Sequence, residues 1–141
     1  MNNDLHNNLD FRRAISPVSV ADNTALVSQI IDRRGYGALE FTIAVGAIAD
    51  ADATFTVLLE HGDIGNLSDA AAVPDEDLLG TEAQAAFIFS DDDKMRKLGY
   101  RGIKRYVRLT ITPAANASAA LLCAVAILGS PSVLPTANPP A

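Results

Sequence analysis

Apolar and polar residues alternate along several stretches of this 141-residue chain. In "ALEFTIAVG" (38–46), Leu39, Phe41, Ile43 and Val45 fall on one side, and Glu40 and Thr42 on the other. "TFTVLLEHG" (54–62) repeats the pattern with Phe55, Val57 and Leu59. "KRYVRLTIT" (104–112) sets Val107, Leu109 and Ile111 against Tyr106, Arg108, Thr110 and Thr112. A period of two marks a half-buried strand. "AALLCAVAILG" (119–129) is apolar on both sides, which fits a strand covered on both faces or a short buried helix; its strand-rich context selects the strand. "TALVSQIID" (24–32), "AFIF" (86–89) and "KLGYRG" (97–102) read as shorter strands, and "PVSV" as a short edge strand. Seven to eight strands separated by turn residues predict an all-β fold, an antiparallel, jelly-roll-like β-sandwich. No strand–helix alternation points to a parallel α/β sheet.

The ends of the chain have a different character. Residues 1–15 are polar and rich in Asn, and 130–141 hold four prolines, which cannot join the interior of a sheet. The expected organisation is an N-terminal arm (1–15), a sandwich domain (16–129) and a Pro-rich C-terminal arm (130–141). Both arms are expected to be mobile alone and ordered on docking. Within the domain, residues 62–86 lack a period and form a long acidic loop, in which "PDEDLLG" suits one helical turn.

Composition narrows the function classes. The size supports one domain with a self-sufficient core, burying about 68% of the unfolded chain's surface. No apolar run reaches the roughly 18 residues of a membrane span, and "MNNDLHNNLDFRR" does not resemble a secretory signal, so no membrane partner is expected. Cys123, the one cysteine, reads as a small buried apolar residue and excludes an intrachain disulfide. The net charge of −6 and a pI of 4.7 argue against free nucleic acid. The charge is unevenly divided, however. Residues 1–93 carry all seventeen acids and four arginines. The remainder carries seven bases and no acid: Lys94, Arg96, Lys97, Arg101, Lys104, Arg105 and Arg108. These seven are the candidate interaction surface, facing either Asp91–Asp93 next door or an acidic neighbour. The strand parity places Arg105 at the end of the inward row and points Arg108 outward or toward a loop.

The residues for common chemistries are sparse. His6 in the arm and His61 at a strand end lack a nucleophile signature, and His61 reads as a hydrogen-bonded strand-end residue. One Cys and two His do not make a zinc site, and no phosphate-binding loop occurs. Asp91–Asp93, and Asp50 with Asp52, lack the spacing of a calcium loop and read as solvated turns. A paired-carboxylate glycosidase is not excluded by counting acids, but a chain without Trp has little with which to stack a sugar. No catalytic residue, metal or cofactor is expected, and the chain is read as not an enzyme.

Four stretches carry a resemblance: "VLLEHGD", "AAAVPDEDLLGTEA", "DDDKMRKLGYRGIKRYVRLTITP" and "AVAILGSP". Between about Thr24 and Pro131 the chain resembles small proteins encoded in the head-gene clusters of tailed bacteriophages and prophages. The resemblance implies a capsid decoration (cement) protein that binds the outside of a phage head and stabilises it. Its implied partners are the major capsid protein and further copies of itself, as a homotrimer. Its implied place is the capsid exterior of the virion, after synthesis in the host bacterial cytoplasm. "RYVRL" is also similar to a strand of galactose-binding-like jelly rolls, which implies the alternative of a glycan- or receptor-binding module on the virion.

Overall fold

The computed structural model describes residues 3–140. Eleven strand segments form two antiparallel sheets packed as a sandwich. Six are long: β1 (Asp10–Val20), β4 (Tyr36–Ile48), β5 (Thr54–Gly62), β9 (Met95–Tyr100), β10 (Tyr106–Ala114) and β11 (Ala120–Pro131). Five are two-residue ladders: β2 (Leu26–Val27), β3 (Ile31–Asp32), β6 (Ala71–Ala72), β7 (Leu78–Leu79) and β8 (Phe87–Ile88). Sheet I has the order β1-β11-β4-β9-β7. Sheet II has the order β2-β10-β5-β6, with β3 also on β10 and β8 also on β5. From β4 onward the long strands alternate between sheets, as a jelly roll requires. The expected count of seven to eight strands falls short because two-residue ladders are too brief to show a period.

The rows predicted to face inward do so. Leu39, Phe41, Ile43, Val45, Phe55, Val57, Leu59, Val107, Leu109 and Ile111 are all buried in a single core cluster. β11 adds Leu122, Ala124, Ala126 and Leu128, and Phe55 stacks on Phe87 at 4.7 Å between centroids. "TALVSQIID" breaks into two ladders at Ser28, whose backbone N–H donates to Leu109 O and whose Oγ accepts from Leu109 N–H. The side chain thereby replaces one rung of strand pairing. The acidic loop holds a 3₁₀ turn (Asp75–Asp77) and a one-turn helix, α1 (Glu82–Ala85). Thr81 and Gln84 bond reciprocally across the start of α1 as a capping box.

The boundary drawn at residue 15 is corrected. Asp10–Val20 is an eleven-residue edge strand on β11, kinked where its register shifts around Arg13–Val18. Polar residues concealed it, because an edge strand needs only part of one face apolar. Its start is anchored by the buried Asp10, which accepts from Arg12 Nε at 2.8 Å and Tyr36 Oη at 3.0 Å. The boundary at 129 is corrected as well, since β11 continues to Pro131. The two terminal segments meet. The buried Thr136 donates through N–H to Asn7 O at 3.0 Å and through Oγ1 to Leu9 O at 2.7 Å.

Two further expectations change at β11. Its outer face is not covered by another layer, and Cys123 is half-buried on that face, not in the core. Parity decides this: Cys123 shares a side with Leu121, Val125 and Ile127, opposite the buried Leu122, Ala124 and Ala126.

Removing residues 1–15 is therefore expected to lower the melting temperature of the free domain. The loss includes Asp10, Ala14 and Ile15, all buried, and burial of a side chain the size of Ile is worth about 1.5–3 kcal/mol. Differential scanning calorimetry checks this; an unchanged midpoint would restore the reading of this segment as a dispensable arm.

Candidate functional site

The seven C-terminal cations do not converge on one patch. Lys94, just before β9, and Arg96, near its start, both reach Asp91 Oδ1, at 3.5 and 2.9 Å. Lys97 lies on the outer face of sheet I opposite Thr42 and forms no ion pair among the described residues. Arg101, beyond the other end of β9, donates from Nε to Glu76 O at 2.8 Å. Lys104 pairs with Asp63 at 2.7 Å. Arg105 is exposed, not inward-facing, because it precedes β10 and makes a two-point bridge to Asp32, both contacts 2.8 Å. Arg108 is on the outer face of sheet II, as its parity predicted, and pairs with Glu60 at 2.9 Å.

These pairs have a chemical signature. The Asp32 carboxyl is held below its usual range, first by Arg105. Asp91 is lowered too, first by the Ile88 N–H and then by Arg96. Asp91 therefore has both oxygens engaged, and Asp92 Oδ1 accepts from Ile48 N–H at 3.0 Å. Among the described residues no group of three or more His, Cys, Asp and Glu is placed to hold a metal ion.

His61 sits at the end of β5, buried, with Nδ1 2.8 Å from Tyr100 Oη and the two rings at right angles. That hydroxyl also accepts from Lys104 N–H at 3.1 Å, and the Arg33 guanidinium lies 5.0 Å above the Tyr100 ring. A Cβ on Gly102 would overlap the Tyr100 ring, so glycine is required where the β9–β10 connection crosses it. This cluster ties the two sheets together at one end.

The feature that sequence reasoning missed is the outer face of sheet I. Register places its residues in rows across the strands. One row is Phe11, Ile127, Glu40, Gly99 and Leu79; the next is Arg13, Val125, Thr42 and Lys97; a third is Cys123, Ala44 and Met95. Phe11 and Leu121 are exposed, and Cys123, Val125 and Ile127 half-buried. A solvated sheet face ordinarily alternates to polar residues. Sheet II does so along β5 and β10 with Thr54, Thr56, Glu60, Arg108, Thr110 and Thr112, interrupted by the exposed Leu58, Val27 and Ile88, whereas sheet I presents an unbroken apolar stripe along β11. The signal was present in "AALLCAVAILG", but parity cannot say whether a second apolar face is covered.

Two hollows indent this face. One, of about 260 Å³, is lined by Pro17, Ala44, Gly46, Leu121 and Cys123. The other, of about 430 Å³, lies between β4, β9 and the turn from β7 to α1.

No family model matches the chain, and no curated protein matches it. Among solved structures, the capsid of Ralstonia phage GP4 is similar over 92% of this chain and 88% of that one, at 10% identity and a TM-score of 0.48. The xylan-binding module CBM15 is similar over 92% and 95%, at 12% identity and 0.44. The CBM22-1–GH10 modules of Clostridium thermocellum xylanase 10B, complexed with xylohexaose, match 94% of this chain at 11% identity and 0.46. The present chain spans 28% of that xylanase chain. These likenesses concern architecture alone and transfer no residue role.

Acidification tests the His61 contact. Burial pushes the folded pKa of His61 below 6.5. The unfolded chain therefore binds the extra proton first, so the contribution of His61 is full above about pH 6.5 and is lost as pH falls through the lower folded value. Burial raises the Glu40 carboxyl, which acts in the opposite direction. The expected result is a difference: between pH 7 and 5 the wild type loses more stability than His61→Gln in urea titrations. Parallel curves contradict the buried neutral histidine.

Proposed function

We propose that this chain is a structural virion protein that docks on the outside of a phage head through the outer face of sheet I. The observation that carries the reading is the apolar stripe of Leu121, Cys123, Val125 and Ile127 along the interior strand β11, joined at the sheet's edge by Phe11. A contiguous exposed apolar patch marks an interaction surface. The charges beside it set the partner's chemistry: Arg13 and Lys97 flank the stripe, and the rows hold one acid, the half-buried Glu40. An apolar surface rimmed by carboxylates complements this face, and a second copy in face-to-face contact would bring like charges together. The resemblance of "LGYRGIKRYVRLTITP" and its companion stretches to head-cluster proteins supplies the partner, the major capsid protein.

The internal pairing of Lys104, Arg105 and Arg108 supports placing attachment on sheet I and not on the basic end. Exposed pairs of this kind contribute only about 0–1 kcal/mol each.

Two sets of substitutions separate the alternatives. Leu121→Asp with Val125→Glu is expected to leave the free domain folded and to reduce retention on purified heads at least about tenfold, the scale of losing about 1.4 kcal/mol of binding. Arg101→Glu, Lys104→Glu and Arg105→Glu together are expected to leave retention within a few-fold of wild type. Release by the second set and not by the first would move attachment to the basic end of the domain.

A further inference from the structure

The larger hollow lies on the same face as the apolar stripe and holds a buried carboxylate that docking by the stripe does not use. Glu40 stands at its floor, on the outer face of β4. Its seat exists because β9 has no side chain at Gly99, where a Cβ would come within 2.6 Å of Glu40 Oε2 and 2.8 Å of Leu79 Cβ. Oε2 is buried with no hydrogen-bond partner. Most buried polar atoms have one, and each exception calls for an account. Lys97 faces the same hollow and has no hydrogen-bond or ion-pair partner among the described residues. Gln84 contributes an amide whose Oε1 is already taken by Thr81 N–H, leaving its N–H₂ group. Leu79 and Met95, both exposed, form apolar walls. Arg96, at the rim, is engaged by Ala86 O, Met95 O and Asp91.

The charges select the ligand class. An anion entering the hollow meets Glu40, and a small cation meets Lys97 and Arg96. A hydroxyl group donates to a carboxylate and accepts from an ammonium or amide, so a pair of neighbouring hydroxyls satisfies both sides. We propose that this hollow binds a neutral polyhydroxyl ligand, a saccharide unit, with Glu40 accepting from one hydroxyl through Oε1, the oxygen not sealed beneath Gly99 and Leu79, and Lys97 donating to another. The volume of about 430 Å³ falls within the roughly 300–1,000 Å³ of small-molecule sites. Burial raises the Glu40 carboxyl and Lys97 opposes that rise, consistent with a carboxylate short of partners. No aromatic ring lines the hollow, so binding is weak, with a dissociation constant on the order of 1 mM.

Nitrogen-15-labelled full-length protein is titrated, one probe at a time, with xylohexaose, cellohexaose, maltohexaose and chitohexaose, and separately with phosphate and glycine. The expected result is saturable amide shifts at Gly80, Gln84, Lys97 and Gly99 with at least one oligosaccharide, and none with phosphate or glycine. Glu40→Gln and Lys97→Met should each weaken binding about tenfold or more, as loss of a charge-assisted hydrogen bond does. Leu121→Asp, which addresses docking, should leave the titration unchanged, so failure of one reading is separable from failure of the other. The proposal is overturned if no oligosaccharide gives saturable shifts, if the shifts lie elsewhere, if both variants bind as wild type, or if phosphate or glycine produces the same shifts.

Discussion

One interior strand of sheet I, β11, sets the terms for the rest of the molecule. β11 is paired on both sides, with β1 and β4, so its backbone groups are satisfied within the sheet. Its inner face sets two alanines, Ala124 and Ala126, between Leu122 and Leu128, all buried in the cluster that holds Phe41, Phe55 and Tyr100. The alanines leave room for aromatic side chains in the shared layer, and that layer holds the two sheets together. The outer face of the same strand is apolar too. One strand thus supplies both the core and the surface on which the functional reading rests.

The division of charge along the sequence has a topological explanation. An antiparallel jelly roll interleaves early and late strands: β10 lies between β5 and the β2–β3 pair. A basic C-terminal segment therefore runs beside the acidic N-terminal ones, and Arg105 meets Asp32, Lys104 meets Asp63 and Arg108 meets Glu60. Charges separated by dozens of residues in the chain become neighbours in space. The segregation that suggests an external acidic partner is in large part resolved within the fold. Lys97 is the member of the basic stretch left on the outer face of sheet I without an ion pair among the described residues.

The long inner strands were legible because their burial is one-sided and period two survives. β4 and β5 extend over the stretches that alternate, and β10 begins two residues into its stretch, at Tyr106. β1 was legible only at its end, as the edge strand "PVSV" (17–20): its register shifts near Ser16 and Pro17 break the alternation before that, and its anchor is the polar Asp10–Arg12–Tyr36 network. α1 carried a readable signal in Thr81 and Gln84, spaced as a capping box, but four residues are too few for a helical period. The candidate site was the least legible part. The rows of sheet I depend on register between strands far apart in sequence, and the seat of Glu40 depends on a glycine in a different strand. Neither relation exists until the sheet is paired.

Cys123 provides a direct report on that face, since it is half-buried in the middle of the stripe and is the chain's one cysteine. The decisive measurement is its rate of modification by a small maleimide in the free protein and in the protein bound to purified heads. Docking through sheet I predicts that modification slows at least about tenfold on the particle, and that protein modified beforehand with a bulky maleimide no longer binds. Equal rates in the two states, with modified protein still retained, would contradict attachment through this face.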